Sequence, residues 1–571
     1  MPQERPVDSG ILPLMSMSQG AVALPRSCER NGAVYTRPWV VKLLLDLSGY
    51  VQEANLADSV AVEPAAGHGS FLEEMISRLM QSCERHGRAI EECESAIVAY
   101  ELNPASAKRA FAAARNVLVN NGVACEKAER LATAWVRCGD YLLSDWETKA
   151  DFVIGNPPYV RLEDMPESTA ATYRHVYATM IGRADLYVAF FEAALRQLKP
   201  GAICAFICAD RWMRNQYGAE LRKLVTREYA VDFVIEMHDA NAFVDEVDAY
   251  PAITIVRRGA QGRVVVAAAN ADAEELPPGE LAGSLRKVAA VRQVVLPNSL
   301  RAAVVDSWFK GDVPWPCRTP AQLGLLRRLE EHFLPLESED GATKVGIGVA
   351  TGNDRVFISK DSNLVEPSRL LKLALVDDLR SGELRWSGHY LINPWDSNGL
   401  VRLDDFPRLR DYFEHHSLLV KNRNVARKTP HAWFRTIDRV NDSLTLQPKL
   451  YIADIQNELS PVLDSGQTYP HHNLYFIQSN QWDLEVLGGI LLSEVARFFV
   501  ESYGVRMRGG YLRFQAQYLR RIRVPNPAVI SPSQCSELRK SFVDRDRSRA
   551  TQIAAELYRL SSEEKESLLG C

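Results

Sequence analysis

Four consecutive residues, Asn156, Pro157, Pro158 and Tyr159, follow directly after an apolar segment that begins at Asp151. An amine attached to an aromatic base is a poor nucleophile, because its lone pair is delocalised into the ring. The side-chain oxygen of Asn156 and the backbone carbonyl of Pro157 could accept from its two N–H bonds and localise that lone pair. Tandem prolines fix φ and donate no competing N–H, so these dipoles are preorganised. Tyr159 offers a face on which a base stacks. A plain turn with an exposed tyrosine is the alternative, but the pattern favours chemistry on an exocyclic amine.

Two glycines upstream lie in the segment EPAAGHGSF, between a predicted strand and a predicted helix. Glycine allows the backbone to approach a ligand closely, so Gly67 and Gly69 indicate a candidate cofactor loop. The dinucleotide fingerprint GxGxxG is incomplete, because Leu72 stands where the third glycine would be. This departure disfavours a nicotinamide cofactor. Taken alone, the two glycines are explained equally well by a structural turn.

Two acidic residues follow the glycine segment along the chain. Glu101 ends the next predicted strand, where a carboxylate can accept from both hydroxyls of a ribose. Asp140, after Gly139, could accept a hydrogen bond from an amine such as N6 of adenine. Taken singly, Glu101 could be a solvated charge and Asp140 a turn former. The succession of a glycine loop and two acids is far less probable by chance than any one member.

Strand and helix signals alternate through the N-terminal half of the chain, which predicts a doubly wound, mostly parallel α/β sheet. Ligands of such sheets bind beyond the carboxyl ends of the strands. The motifs fall at predicted strand ends, at Glu63, Glu101, Asp140 and Asn156. We therefore expect them to meet along one edge of the sheet. Ahead of the first strand, Thr36 is expected to cap a helix whose first turn contains Pro38.

In this order the motifs resemble those of the TaqI/Eco57I-like N6-adenine-specific DNA methyltransferases, which are type II restriction-modification methylases with the gamma motif order. The resemblance covers about Asn31 to Arg258. VYTRP resembles the element beside the methionine part of the cofactor, and EPAAGHGSF resembles the cofactor loop. YELNP resembles the ribose-binding segment, GDYL the adenine contact and NPPY the catalytic turn.

The resemblance implies a Rossmann-like domain with a mostly parallel seven-stranded sheet, followed by a mixed α+β target-recognition domain. It also implies S-adenosyl-L-methionine as cofactor and a target adenine flipped out of the duplex. The implied cofactor-binding residues are Thr36, Glu63, Ala65, Gly67, Gly69, Glu101, Asp140 and Tyr141. The implied catalytic residues are Asn156, Pro157, Pro158 and Tyr159. Phe243 is assigned by position to a second aromatic contact with the base, with Tyr250 as the alternative.

Two basic stretches occur in the C-terminal half, although the net charge of the chain is −5. Residues 421–449 carry seven Lys or Arg and two acids, and residues 503–525 carry six arginines and no acid. Basic residues interleaved with aromatics suit a nucleic-acid surface, although a solvated basic face is the alternative. The DNA-contacting residues expected here are Arg427, Lys428, Arg506, Arg508, Gly509 and Gly510. The surrounding segments GVATGNDRVF and HHNLYFI resemble the family's target-recognition domain.

The 571 residues are too many for one hydrophobic core. We expect a lead over 1–28, a catalytic domain over 29–258, a linker with a few strands over 259–320, a recognition domain over 321–530 and a helical tail over 531–571. No segment suggests a signal peptide or a membrane span, so we expect a cytoplasmic, nucleoid-associated protein of bacterial or archaeal origin. The ten cysteines lack zinc-site spacing, and no metal is expected.

The sequence leaves two other functions open. Enzymes that methylate RNA or a protein glutamine share the Asn-Pro-Pro turn, although they usually lack a large C-terminal domain. A DNA-binding protein without catalysis is disfavoured by the intact Glu101, Asp140 and Asn156. About 30 residues precede Tyr35, too few for a nuclease domain, so we expect a monomeric enzyme that methylates duplex DNA and functions with a separate restriction endonuclease.

Overall fold

A computed structural model describes residues 34–146, 149–245, 250–290, 299–306, 308–316, 320–504 and 511–569. The chain divides into two compact units, Met1–Pro314 and Trp315–Cys571. The expected lead over 1–28 lies outside the described residues.

The first unit is built on one nine-stranded sheet with the order β3-β2-β1-β4-β5-β7-β6-β8-β9. Its strands are β1 (Ala61–Glu63), β2 (Ile97–Glu101), β3 (Val136–Cys138), β4 (Ala150–Gly155), β5 (Leu198–Ala209), β6 (Tyr229–Glu236), β7 (Pro251–Arg258), β8 (Val264–Ala269) and β9 (Leu300–Val305). Strand β7 is antiparallel to both β5 and β6, and β9 is antiparallel to β8, whereas the other pairs are parallel.

The first seven strands confirm the predicted α/β class with a mostly parallel sheet. The sheet has two more strands than the expected seven. Strand β8 pairs with β6, and β9 pairs with β8. Both additional strands come from the segment 259–320, which was expected to be a linker with a few strands. Val264, Val265 and Val266 of β8 are buried. Their apolar side chains therefore extend the core of this unit.

The helices of the first unit connect and cover these strands. They are α1 (Pro38–Ser48), α2 (Ser70–His86), α3 (Pro104–Asn120), α4 (Cys125–Trp135), α5 (Glu167–Val176), α6 (Tyr187–Gln197), α7 (Arg211–Arg214), α8 (Ala219–Glu228) and α9 (Pro278–Ala290). Ala205 and Ile207 of β5 share a hydrophobic core with residues of α1. Phe206, which lies between them, contacts Phe191 of α6 with ring centroids 4.9 Å apart. Alternate side chains of a strand point to opposite faces, so both faces of β5 are covered.

The first helix starts differently from the prediction that Thr36 caps it. Its N-cap is Arg37, and no side chain caps the helix. Pro38 occupies the first turn as expected, because proline lacks the N–H that would stay unpaired there. Thr36 instead forms an isolated β-bridge with Phe243. The capping prediction was therefore wrong, because a long-range contact holds Thr36.

The second unit combines small sheets with helices. Its helices are α10 (Pro320–His332), α11 (Asp354–Phe357), α12 (Pro407–His415), α13 (Ser417–Lys421), α14 (Asn424–Lys428), α15 (Leu484–Leu492), α16 (Glu494–Tyr503), α17 (Ala516–Leu519), α18 (Pro532–Val543), α19 (Arg547–Leu557) and α20 (Ser562–Leu569). Its strands are β10 (Leu334–Pro335), β11 (Thr343–Ile347), β12 (Ile358–Ser359), β13 (Leu370–Ala374), β14 (Tyr390–Ile392), β15 (Trp395–Asp396), β16 (Gly399–Leu400), β17 (Lys449–Ala453), β18 (Ile455–Gln456), β19 (Val462–Asp464), β20 (Tyr469–Pro470), β21 (Leu474–Ser479), β22 (Leu512–Arg513) and β23 (Arg523–Val524).

Two four-stranded sheets organise this unit, in the orders β11-β21-β17-β19 and β12-β14-β13-β20. Helices α15, α16, α18 and α19 contribute to one large core with β17 and β21. This combination of helices and small sheets confirms the expected mixed α+β architecture. Within the residues that the structure describes, no helix combines the length and the apolar character needed to cross a bilayer.

Candidate active site

The four sequence motifs lie at neighbouring strand ends. Strands β3, β2, β1 and β4 are adjacent in the sheet, and adjacent strands lie about 4.8 Å apart. Glu63 and Glu101 are the last residues of β1 and β2, and Asn156 follows the last residue of β4. The β1 and β4 ends touch, because a Cβ at Gly155 would lie 3.8 Å from Cγ of Glu63. The structure thus brings the predicted motifs to one edge of the sheet.

The amide of Asn156 is held in one orientation. Its Nδ2 donates to the carbonyl of Val34 at 2.9 Å and to the hydroxyl of Thr36 at 3.2 Å. A carbonyl oxygen can only accept, so the nitrogen of Asn156 must face Val34. Its Oδ1 is buried and has no hydrogen-bond partner. The side chain therefore presents an unused acceptor, as the catalytic prediction requires.

Tyr159, three residues after Asn156, lies close to two other aromatic rings. Tyr159 is half-buried, with its ring centroid 6.1 Å from that of Phe243 and 6.3 Å from that of Tyr187. The planes of Tyr159 and Phe243 are nearly perpendicular, at 82°. Burial raises the pKa of Tyr159 well above its usual range, so its hydroxyl stays protonated. The bridge between Thr36 and Phe243 connects this cluster to the element that orients Asn156.

The remaining residues of the predicted turn have unequal exposure. Pro157 is buried and Pro158 is half-buried. Tyr250, the alternative to Phe243, has its ring against His238, with centroids 4.9 Å apart. The structure therefore brings Phe243 to Tyr159 and places Tyr250 beside a different ring.

The glycine segment folds back onto Glu101. The Gly67 N–H donates to Oε2 of Glu101 at 2.7 Å, and the Asn103 N–H donates to Oε1 at 2.8 Å. Gly67 and Gly69 have φ of 56° and 98°, a region that favours glycine. Ala65 is half-buried in the same loop. Burial raises the pKa of Glu101, against the lowering effect of these backbone donors.

Glu63 is the most isolated acid of the site. It is 1% exposed, and its Oε2 is buried without a hydrogen-bond partner. Burial, followed by the nearby Glu101 carboxylate, raises the pKa of Glu63 well above its usual range. A ligand with a cationic group or an N–H donor would complete this environment.

Asp140 is held by a residue that sequence reasoning missed. Its Oδ1 accepts from the Leu142 N–H at 2.9 Å, and its Oδ2 accepts from the Tyr173 hydroxyl at 2.7 Å. Burial raises the pKa of Asp140. Tyr141 is fully buried, and its hydroxyl donates to Gln197 at 3.0 Å. Tyr141 thus packs in the core, whereas Tyr173 of α5 reaches the strand end.

A second missed group lies beside the glycine segment. The ring of Tyr35 stacks on His68, with centroids 4.5 Å apart, and its hydroxyl lies 2.9 Å from Nε2 of His68. Arg109 on α3 approaches the same nitrogen at 3.0 Å. Burial and the positive charge of Arg109 lower the pKa of His68. The position of His68 between two glycines was a signal in the sequence, but its partners come from distant segments.

The predicted DNA-contacting residues are distributed unevenly. Arg427 and Lys428 are exposed on α14, whereas Arg506, Arg508, Gly509 and Gly510 lie outside the described residues. Two other members of the first basic stretch are structural. Arg423 donates to backbone carbonyls, including that of Thr351 at 2.6 Å, and Lys449 pairs with buried Asp464 at 2.9 Å. The charge of this stretch therefore does not all face solvent.

Metal-binding side chains meet in the second unit. The ligand atoms of Asp354, His471 and His472 lie within 4.8 Å of one another. Asp354 already accepts from the Thr351 hydroxyl at 2.5 Å, and its other oxygen lies 3.2 Å from Nε2 of His471. Hydrogen bonds hold Asp354 and His471, whereas Nδ1 of His472 is buried without a hydrogen-bond partner. We assign this cluster no role.

Comparison with protein families gives two matches along the chain. Residues 79–243 match the model of the Eco57I restriction-modification methylase family. Residues 405–524 match the TaqI-like C-terminal specificity domain. The first match contains Asn156 and Tyr159, and the second contains the first basic stretch.

Full-length relatives support the same comparison. The type II methyltransferase M.PaeR7I of Pseudomonas aeruginosa is 40% identical, and the match covers 99% of this chain and 98% of that protein. The type II methyltransferase M.XhoI of Xanthomonas vasicola is also 40% identical, over 94% of this chain and 99% of that protein. Each match therefore extends over nearly the whole of both chains.

Solved structures show a related fold at low identity. The type IIL restriction-modification enzyme MmeI in complex with DNA is 12% identical with a TM-score of 0.52, and the match covers 93% of this chain and 72% of that one. A nuclease-deletion mutant of the type ISP enzyme LlaGI, in complex with a DNA substrate mimic, is 13% identical with a TM-score of 0.51. That match covers 90% of this chain and 46% of that one.

Proposed function

The chain belongs to the type II restriction-modification DNA methyltransferases, which use S-adenosylmethionine, and we propose that it methylates N6 of adenine in duplex DNA. Membership in this family confirms the resemblance that the motifs indicate. The observation that carries the adenine assignment is the buried, unpartnered Oδ1 of Asn156, whose amide nitrogen is held by Val34 and Thr36. An acceptor fixed in this way suits an exocyclic N–H donor.

The catalytic turn acts by hydrogen bonding and by stacking. When bound, S-adenosylmethionine supplies an electrophilic methyl group. The Oδ1 of Asn156 and the carbonyl of Pro157 accept from the two N–H bonds of the adenine amine and localise its lone pair. The flipped base stacks on Tyr159. Phe243 supplies a second aromatic ring beside the base, with its plane at 82° to that of Tyr159. Pro158 keeps the turn rigid.

The residues assigned to the cofactor contact different parts of it. The unpartnered oxygen of Glu63 suits the cationic end of S-adenosylmethionine, and this orphaned acceptor is the feature that fits the cofactor best. Glu101 and Asp140 retain acceptor capacity for the ribose and the adenine, because each carboxylate offers about four lone-pair positions. Ala65, Gly67 and Gly69 form the loop, and Thr36 and Tyr141 are the other residues assigned to the cofactor.

Target recognition is assigned to the second part of the chain. We assign catalysis to residues 29–258 and recognition to 321–530, with the 1–28 lead, the 259–320 segment and the 531–571 tail around them. Arg427, Lys428, Arg506, Arg508, Gly509 and Gly510 contact DNA in this assignment. The exposed positions of Arg427 and Lys428 support it. The enzyme acts as a monomer of 64.0 kDa and functions with a separate restriction endonuclease.

Transfer of a labelled methyl group tests this proposal against its rivals. The purified full-length chain is incubated with labelled S-adenosylmethionine and with duplex DNA, RNA or a glutamine-containing protein substrate. We expect label in DNA, recovered as N6-methyladenine after digestion to nucleosides. Label in RNA or in protein would favour the first rival. Retention of DNA without any cofactor binding would favour the non-catalytic rival.

A further inference from the structure

A basic cavity lies beside the catalytic turn in the first unit. It has a volume of about 160 Å³, which is about ten times the space that one buried water needs. Arg161, two residues after Tyr159, lines one side of it. Arg211, which begins α7 after the end of β5, lines another. Because β5 is the neighbour of β4, the cavity opens at the same edge of the sheet as Asn156.

Three guanidinium groups give the cavity its charge. Arg161 and Arg183 are exposed, whereas Arg211 is half-buried. The Nε of Arg211 is buried and has no hydrogen-bond partner. A buried donor without a partner is unfavourable by about 1–3 kcal/mol, and an anionic acceptor in the cavity would remove that cost. The side chain of Asn215, which also lines the cavity, adds amide hydrogen-bonding groups.

Acidic groups offset part of this charge. Glu163 lies 3.8 Å from Arg183, but both side chains are more than half exposed, so their attraction is weak. Asp185 accepts from the Tyr217 hydroxyl at 3.1 Å. Burial raises the pKa of Asp185, whereas its hydrogen bond with Tyr217 and the nearby Arg211 and Arg161 lower it. Three arginines outnumber the two carboxylates that line the cavity, so it retains excess positive charge, which an anion can neutralise.

The walls of the cavity connect to the catalytic ring. The hydroxyls of Tyr217 and Tyr187 lie 2.7 Å apart, and the ring of Tyr187 lies 6.3 Å from that of Tyr159. The backbone adds a second connection, because the Leu186 N–H donates to the Val160 carbonyl at 2.8 Å. An occupant of the cavity would therefore contact residues that connect directly to the ring of Tyr159 and to the segment that follows it.

We propose that this cavity binds a backbone phosphate of the DNA strand whose adenine enters the active site. Arg161 and Arg211 supply charge-assisted hydrogen bonds to the phosphate oxygens, and Arg183 adds charge at the rim. The site contacts no base edge, so it positions the strand and carries no sequence information. The identity of the ligand rests on the proposed function, because DNA is the substrate there.

DNA retention on filters tests the cavity without requiring catalysis. Labelled fragments of a bacterial genome are bound to the full-length chain at several salt concentrations. In the double variant Arg161→Gln/Arg211→Gln, we expect weaker binding, and we expect the slope of log K against log salt to flatten by about one, the contribution of one phosphate. The double variant Arg161→Lys/Arg211→Lys should keep the wild-type slope, because it keeps the charge. The matched control Arg130→Gln removes an exposed arginine of α4, which should leave the slope unchanged.

The KM for DNA should rise in the glutamine double variant, whereas cofactor binding and the melting temperature should match wild type. An unchanged salt slope and KM in that variant would overturn the cavity assignment, even if the wild type methylates adenine. A wild-type chain that retains DNA but transfers no methyl group to it would instead overturn the proposed function. The slope comparison would still decide whether the cavity holds a phosphate.

Discussion

The amide of Asn156 turns its nitrogen towards Val34 and Thr36 and leaves Oδ1 buried without a donor. Leaving a buried acceptor unpaired costs about 1–3 kcal/mol. Glu63 bears a similar cost at the neighbouring strand end, where its Oε2 is also unpartnered. Two such oxygens at one edge of a sheet indicate a site prepared for donors that a ligand brings.

Replacing Asn156 tests the catalytic acceptor. In Asn156→Ala, we expect kcat to fall by at least about 10²–10³-fold, the usual effect of removing one preorganised hydrogen bond to a reacting group. S-adenosylmethionine should bind with nearly wild-type affinity in a direct titration. The control Asn121→Ala removes an exposed asparagine at the end of α3 and should keep full activity. Full methylation by Asn156→Ala would contradict the assignment.

Substitutions of Thr36 distinguish whether it positions Asn156 or contacts the cofactor. Thr36→Val removes the hydroxyl that accepts from Asn156 while keeping the side-chain shape. The loss of one neutral hydrogen bond is worth about 1 kcal/mol, so we expect kcat to fall about five-fold with little change in the KM for S-adenosylmethionine. Thr36→Ser should restore kcat. A rise in that KM at constant kcat would show that Thr36 contacts the cofactor instead.

The raised pKa of Glu63 makes the free energy of unfolding depend on pH. Its pKa in the folded chain lies above the ordinary value of 4.5, so the folded state binds more protons than the unfolded state between these two pKa values. The free energy of unfolding therefore falls as pH rises through that window. Glu63→Gln removes this loss and should stabilise the chain above neutral pH by about 1–3 kcal/mol. The gain should vanish as pH falls towards 4.5.

Denaturant titration of both proteins at several pH values measures the effect of Glu63→Gln. The same variant should bind S-adenosylmethionine more weakly, because it lacks the charge that suits the cationic end of the cofactor. An equal free energy of unfolding at all pH values would contradict the account of Glu63.

Helix α2 is placed by its two ends. Gly69 precedes it and Gly87 follows it, and both have positive φ. A Cβ at Gly69 would lie 3.3 Å from Cα of Ala110 on α3, whereas a Cβ at Gly87 would meet nothing within 4 Å. Gly69 therefore serves both the turn and the close packing of α2 against α3, which holds the proposed cofactor loop in place.

The pair Gly69→Ala and Gly87→Ala isolates that packing. Each variant places alanine at a positive φ, which costs about 1–2 kcal/mol. We expect Gly69→Ala to lose about 1–3 kcal/mol more, because its methyl group meets the backbone of α3. Only Gly69→Ala should also weaken S-adenosylmethionine binding. Equal destabilisation and equal cofactor affinity in the two variants would contradict this role of Gly69.

Local patterns predicted the strand ends but not the contacts between distant segments. Glu63 and Glu101 were placed correctly, because each ends an apolar run whose direction the sheet class determines. Thr36 was expected to cap a helix, since its partner Asn156 lies 120 residues away and no local pattern records that contact. Tyr173 was missed for the same reason, because it lies 33 residues beyond Asp140.

The pairing of strands β8 and β9 with the main sheet shows a further limit of local reasoning. Segment 259–320 was expected to be a linker with a few strands, because its character is mixed and ELPPGELAGS indicates a loop. Whether its valines become buried depends on the unpaired edge of β6, which exists only in the assembled sheet. Pairing with β6 adds β8 to the sheet, where these valines are buried.

The whole molecule combines a methyltransferase sheet with a separate unit that matches a specificity domain. Relatives at 40% identity match over nearly their whole length, so the family resemblance includes both units of the chain. In our account the first unit supplies the reaction and the second selects the DNA site. This division explains why buried acids and orphaned acceptors occur at the sheet edge, whereas Arg427 and Lys428 are exposed on α14.

Single-molecule sequencing of DNA from cells that express the chain tests the central claim most directly. We predict N6-methyladenine at one short recurring sequence, present with the wild type and lost with Asn156→Ala. A host strain without its own adenine methylation gives the background. Unmodified adenines with the wild type, or methylation at cytosine instead, would contradict the account.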